Sequence, residues 1–174
     1  MGRSYGVRPY TALPGGSTMR KARKMLRDGL GDHGIICPCC QQLAKIYKRR
    51  LTASMAFALI LIYRHFAATD PGVQGWVHVP KLLNGHGVAA AGGDFAKLAA
   101  WKLIEERPGE REDGSHRNGE WRITRRGQDF VRGVITVPAH CYFYNQKPIA
   151  FPPQETSIQA ALGEKFRYDQ LMYF

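Results

Sequence analysis

The longest apolar run of the chain constrains its fold more tightly than any other feature. It extends over nine residues, from Met55 to Tyr63, and Arg64 ends it. A helix that crosses a bilayer needs about 20 apolar residues. The run therefore predicts a helix that is buried in the core of a globular domain. Thr52 is a residue type that caps helix N-termini, and we expect the helix to continue to about Phe66.

Turn and capping residues after this helix predict a compact domain of alternating short elements. A chain of 174 residues, 44% of them hydrophobic, can form one such domain with an appendage. The expected elements are a strand at 75–79, a helix from Pro80 to Asn84, a helix at 95–101 capped by Asp94, a strand at 102–107, a polar tip at 108–119, a strand at 120–124 and a helix at 125–131 capped by Thr124.

These signals divide the chain into four parts. We expect a flexible arm at 1–16, a basic cysteine-containing segment at 17–51, the compact domain at 52–133 and an aromatic extension at 134–174. The extension predicts a hairpin around residues 145–148 and one helix from about Thr156 to Leu171. Its many aromatic residues are expected to be buried, mostly on the main domain or against a second copy of the chain.

Positive charge is concentrated at the front of the chain. The formal net charge is +11, and residues 1–50 carry +9 of it. A basic amphipathic helix is expected from Ser17 or Thr18 to Asp28, with Gly29 as its stop, and a second basic helix is expected within 41–50. This asymmetry favours a polyanionic partner, with nucleic acid ahead of a membrane surface. A solvated basic tail is the alternative.

Two groups of residues carry resemblances to known proteins. The run Phe95-Ala-Lys-Leu-Ala-Ala-Trp-Lys-Leu-Ile-Glu-Glu, followed by Gly119-Glu-Trp-Arg-Ile-Thr-Arg-Arg-Gly-Gln-Asp-Phe-Val, resembles winged-helix proteins over residues 52–133. The resemblance implies an α+β winged helix-turn-helix domain, while all-α and other α+β arrangements stay open. The Cys-Pro-x-Cys turn, the Val-Pro segment and the Glu-Lys-Phe-x-Tyr-Asp pattern resemble small bacteriophage-encoded proteins of unknown function.

Charge and resemblance together predict a DNA-binding regulator or accessory protein, encoded by a phage or mobile element. The helix expected at 95–101 offers mainly Lys97 to base edges, so we expect binding that is directed mainly to the phosphate backbone of duplex DNA. The expected contact residues are Arg20, Lys21, Arg23, Lys24, Lys45, Lys48, Arg49, Arg50, Lys97, Arg122, Arg125 and Arg126. The alternative is a protein-interaction module, an inhibitor or adaptor of a host or phage machine, and a homodimer is compatible with either.

The cysteines suggest a metal site. Cys37 and Cys40 have the two-residue spacing that lets two thiolates bind one zinc ion. Cys141 is the preferred third ligand, and Cys39, His140 and His33 are further candidates. Reduced packing thiols, or a redox or disulfide role, are the alternatives.

Catalytic motifs are not evident in the sequence, and we do not expect an enzyme. The acidic residues near the hairpin tip could hold Mg²⁺ for nuclease chemistry. Arg107 and Arg111 interleave with them, so a solvated, self-neutralising tip is the preferred interpretation. These acidic residues are Glu105, Glu106, Glu110, Glu112 and Asp113. The first residues contain no apolar signal segment, and we expect the protein to act in the cytoplasm of a host cell.

Overall fold

The chain forms two compact units. The computed structural model describes residues 18–69, 75–86, 94–109 and 119–173. Of these, the first unit takes in 18–49 and 142–150, and the second takes in 50–141 and 151–173, with the same gaps. The extension that the sequence predicts at 134–174 is thus divided between the two units. The predicted arm at 1–16 and the tip at 110–118 lie outside the described residues.

Helices and short antiparallel sheets alternate along the chain, which confirms the α+β class. The α-helices are α1 (Met19–Gly29), α2 (Ala53–Ala68), α3 (Val79–Asn84), α4 (Arg125–Val131), α5 (Ile158–Leu162) and α6 (Tyr168–Tyr173), with a 3₁₀ helix at Asp94–Trp101. The strands are β1 (Ile35–Ile36), β2 (Leu43–Ala44), β3 (Tyr47–Arg50), β4 (Val77–His78), β5 (Ile104–Glu106), β6 (Glu120–Ile123), β7 (Val137–Pro138), β8 (His140–Tyr144), β9 (Lys147–Ala150) and β10 (Glu155–Thr156).

Helix α2 is the centre of the second unit, as the apolar run predicts. The Thr52 hydroxyl oxygen accepts a hydrogen bond from the amide of Met55 at 3.3 Å and caps the helix. All eight residues from Met55 to Ile62 are buried. Helices α3, α4, α5 and α6, the 3₁₀ helix and β6 all contact α2, so apolar neighbours surround it.

A three-stranded antiparallel sheet with the order β4-β6-β5 completes this core. Along the chain the elements follow the predicted order of helix, strand, two helices and two strands. The helix predicted at 95–101 is a 3₁₀ helix that begins at Asp94 itself. The Asp94 carboxylate pairs with Lys97 in the same helix.

Helix α4 begins against the end of β5. The Thr124 side chain accepts a hydrogen bond from the amide of Gly127 at 3.0 Å and donates one to the carbonyl of Lys102 at 2.7 Å. A Cβ atom at Gly127 would lie 2.1 Å from the carbonyl oxygen of Leu103 and 2.7 Å from Cγ1 of Ile123. The helix can approach the strand this closely only because residue 127 has no side chain.

The prediction of one long helix in the tail was wrong. Two short helices, α5 and α6, replace it, and Gly163 with φ of 60° ends α5. Tertiary contacts then place α6. The Tyr168 hydroxyl donates to the carbonyl of Val131 at 2.8 Å, and Arg64 donates to the carbonyl of Leu171 at 3.1 Å.

The prediction of a second basic helix within 41–50 was also wrong, since this segment forms β2 and β3. Strand β2 pairs with β1 through Ile35 opposite Ala44 and Ile36 opposite Leu43. Between the two strands, the amide of Gln41 donates to the carbonyl of Cys37 at 2.9 Å. Pairing with β1 satisfies backbone groups that a helix would have satisfied locally.

The last sheet has the order β3-β8-β9. Strands β8 and β9 form the predicted hairpin, with Tyr144 opposite Lys147 next to the turn. The two turn residues, Asn145 and Gln146, have φ values of 46° and 62°. Positive φ at both positions is the type I′ pattern that matches the twist of the flanking strands.

Candidate functional site

Helix α1 presents a basic surface. Its five cations, all exposed, are Arg20, Lys21, Arg23, Lys24 and Arg27. Lys24 pairs with Asp28 at 2.7 Å, but both side chains are largely exposed. Such a pair contributes little and does not withdraw the charge from a ligand.

The apolar side of α1 is only partly buried. Ala22 is its buried residue, whereas Met19 is 61% and Met25 is 37% exposed. The Thr18 side chain makes no capping hydrogen bond. Within the described residues, α1 is therefore held through a narrow contact, and most of its circumference is available to a partner.

Strand β3 carries three further members of the predicted contact set, Lys48, Arg49 and Arg50, and all three are exposed. Aromatic rings accompany two of them. The Lys48 ammonium lies 6.0 Å from the ring centre of Tyr142, and the Arg49 guanidinium lies 5.5 Å from that of Tyr47. Lys45, which is half-buried, lies 6.0 Å from Tyr47. At these distances the electron-rich faces of the rings attract the cations.

Carboxylates accompany most of the candidate cations of the second unit. Lys97 pairs with Asp94. Arg122 pairs with Glu105 on the neighbouring strand and lies 4.4 Å from the ring centre of Trp76.

Near the start of α4, Arg125 lies 3.4 Å from a carboxylate oxygen of Asp129, while Arg126 is exposed. The first unit differs, because its described residues include nine Lys and Arg but only two Asp. The two groups of predicted DNA contacts thus differ in their electrostatic surroundings.

The cysteine turn connects β1 and β2 and holds Cys37, Cys39 and Cys40. Hydrogen bonds from the backbone amides of Cys40 and Cys39 favour the Cys37 thiolate and lower its pKa below the usual value. Stabilisation of a thiolate suits both metal binding and thiol reactivity. The zinc and redox interpretations of Cys37 therefore both stay predictions.

Cys141 lies in β8 and is completely buried in the second unit. Burial raises the pKa of its thiol to about 11, because the thiolate is poorly solvated there. No group of three or more His, Cys, Asp or Glu is arranged for a metal ion within the described residues. The zinc site formed by Cys37, Cys40 and Cys141 stays a prediction.

Two of the five acidic residues near the hairpin tip lie within the described residues. Glu105 pairs with Arg122, and Glu106 is half-buried on the same strand. Glu110, Glu112 and Asp113 lie outside the described residues. The preference for a charge-balanced tip over a Mg²⁺ site therefore stays a prediction.

The tail aromatics are less buried than the sequence predicts. Phe143 is buried, but Phe151 is 43% and Tyr173 is 77% exposed. Tyr142 and Tyr144 are half-buried in β8, beside lysines of the neighbouring strands that the sequence did not predict as their neighbours. Their two-residue spacing on a predicted strand was the signal that they share one face.

No family model, curated protein or solved structure matches the chain. In the described residues, none of the helices combines the length and the apolar character needed to cross a membrane.

Proposed function

We propose that this protein is a DNA-binding regulator or accessory protein that holds duplex DNA mainly by its phosphates. The exposed cations of α1 carry the proposal, since Asp28 is the one carboxylate paired with them among the described residues. Cations that neutralise phosphates release condensed counterions, which is the main source of sequence-tolerant affinity.

We assign the second unit to the winged-helix class within this proposal. Its element order and the β4-β6-β5 strand order support the assignment. The 3₁₀ helix occupies the place of the recognition helix, and its one cation, Lys97, already has a carboxylate partner. Base readout needs side chains that present donors and acceptors to base edges. The 3₁₀ helix is therefore better suited to positioning the protein on DNA than to recognising a base sequence.

A salt titration tests the proposal directly. Binding of a labelled duplex of unrelated sequence should be detectable at low salt, and log K should fall linearly with log salt concentration. A protein that makes four phosphate contacts gives a slope of about −3.6. Absence of duplex binding at low salt would remove the proposal.

A protein-interaction module is the second candidate, favoured by exposed apolar side chains in the second unit. Val134 is 68% exposed, and Phe151 and Tyr173 are also exposed. Large exposed apolar side chains mark interaction surfaces when they form a patch. A pull-down that survives nuclease treatment and yields one stoichiometric partner, lost on Tyr173→Ala, would favour this function over DNA binding.

A further inference from the structure

The central strand of the β3-β8-β9 sheet has two differently buried faces. Strand β8 lies between β3 and β9, and its burial alternates along the strand. Phe143 is buried on one side, whereas Tyr142 and Tyr144 are half-buried on the other. Successive side chains of a strand point to opposite faces. The register of β9 shifts by one residue opposite Tyr142 and Phe143, but burial along β8 still alternates, so the two tyrosines share the more open face.

A lysine from a neighbouring strand accompanies each of these tyrosines. Lys48 of β3 places its ammonium 6.0 Å from the ring centre of Tyr142. Lys147 of β9 is directly opposite Tyr144 in the hairpin register, so the two side chains share one face. Both lysines are exposed. We call this set of four residues the tyrosine face.

The spacing of the two tyrosines along β8 favours an unstacked nucleic acid strand. Residues two apart on a strand are separated by about 7 Å, roughly twice the 3.4 Å rise per nucleotide of one strand in a duplex. Two bases that remain stacked on each other cannot cover both rings. The bases of a duplex are also enclosed by their neighbours, whereas the bases of a single strand can be splayed onto aromatic side chains.

We propose that the tyrosine face binds single-stranded nucleic acid. One base stacks on Tyr142 and another on Tyr144, while Lys48 and Lys147 contact the adjoining phosphates. Rings and cations combined in this way bind single strands with little sequence preference, because every base has a π-face. The site uses residues outside α1 and does not depend on duplex binding.

Fluorescence anisotropy with labelled dT12 and rU12 measures this binding and distinguishes DNA from RNA as the source of the strand. We expect Tyr142→Ala and Tyr144→Ala each to weaken binding by roughly 5- to 150-fold, the range expected for the loss of one stacked base. Tyr142→Phe and Tyr144→Phe keep the ring and should bind as the parent protein does.

Tyr47→Ala is the matched control. Tyr47 is next to Lys48 in β3, so its side chain points to the opposite face, although it also has cations beside it. We expect its substitution to leave single-strand binding within about twofold of the parent, well below the effect of a lost stacking contact. Duplex binding should be the same in the Tyr142 and Tyr144 variants as in the parent, which separates this site from the phosphate surface of α1.

A second pair of variants covers the case in which an alanine at Tyr142 or Tyr144 unfolds the sheet. Lys48→Ala and Lys147→Ala should each make the slope of log K against log salt for dT12 less negative by about 0.7, the value for one phosphate contact of a single strand. The proposal is overturned if neither dT12 nor rU12 binds, if the folded alanine variants bind as the parent does, or if Tyr47→Ala weakens binding as much as they do.

Discussion

Replacement of four cations of α1 by alanine is the sharpest test of where the protein holds duplex DNA. The quadruple variant changes Arg20, Lys21, Arg23 and Lys24, all of which are exposed. Each phosphate contact contributes about 0.9 to the salt slope. If all four residues contact phosphates, the slope of log K against log salt should become less negative by about 3.6. The affinity of the variant would then decline about 150-fold less than that of the parent between 50 and 200 mM salt.

The helix itself should survive this change. Alanine has the highest helix propensity of all residues, and the pair of Lys24 with Asp28 is exposed on both sides. Loss of such a pair costs about 0.3–0.5 kcal/mol. Circular dichroism and thermal melting of the variant should therefore match those of the parent, and the loss of affinity can be attributed to the removed charges.

Two controls separate a local effect from net charge. The first removes four exposed cations of the second unit, so that both quadruple variants lower the formal charge of +11 by four. These four are Lys81, Lys102, Lys165 and Arg167. The second control is Lys97→Ala, which removes one cation that is already paired with Asp94.

Fluorescence anisotropy with two unrelated duplexes gives the salt slopes. We expect the α1 variant to lose far more affinity than either control, and equally for both sequences. If the charge-matched control loses as much, net charge alone explains binding. If Lys97→Ala dominates and its effect depends on sequence, the second unit reads bases and the reasoning is refuted.

Three further predictions concern metal, pH and packing. Elemental analysis of protein purified without chelator should find one zinc per chain, and Cys40→Ser should release it and speed hydrogen exchange within 29–50; protein without zinc would refute this. In protein freed of metal, burial raises the pKa of Cys141 to about 11, so the native state retains a proton that the unfolded state loses above about pH 9, whereas zinc bound at the predicted site would hold Cys141 as a thiolate. Chemical denaturation should show the free energy of unfolding falling by about 1.4 kcal/mol per pH unit between those values, and an unchanged slope in Cys141→Ala would contradict the assignment. Gly127→Ala should lower the free energy of unfolding by about 1–3 kcal/mol, since its Cβ has no room beside the β5 end, whereas Gly85→Ala, where a Cβ meets nothing nearer than 3.5 Å, should be close to neutral.

Local signals in the sequence were sufficient for several elements. Helix α2 follows from an apolar run behind Thr52, whose side chain does cap the helix. Helix α4 follows in the same way from Thr124. The β8–β9 hairpin was also predicted from residues close together in the chain. In each case the residues that determine the element are near neighbours, so no distant contact was needed.

The concentration of charge at the front of the chain was likewise evident from counting residues. The sequence did not show which cations have partners in the fold. Arg122 meets Glu105 because the register of β5 and β6 places them opposite each other. Such pairings join residues that are distant along the chain, and only the strand register decides them.

Segments 41–50 and 156–171 needed the tertiary structure. The first has apolar residues that also fit a helix, but pairing of β2 with β1 makes it a pair of strands. In the second, Gly163 separates two short helices, and the hydrogen bond of Tyr168 to Val131 joins α6 to α4. Propensity is a weak preference that such contacts override.

The tyrosine face was likewise determined partly by the sequence and partly by the tertiary structure. The sequence determined that Tyr142 and Tyr144 lie on one side of a strand, because side chains alternate. Whether that side is covered depends on what packs against it. Lys48 reaches Tyr142 from another strand, distant along the chain. Burial and charge environment are properties of the assembled sheet, since each depends on the neighbours that pairing brings to a residue.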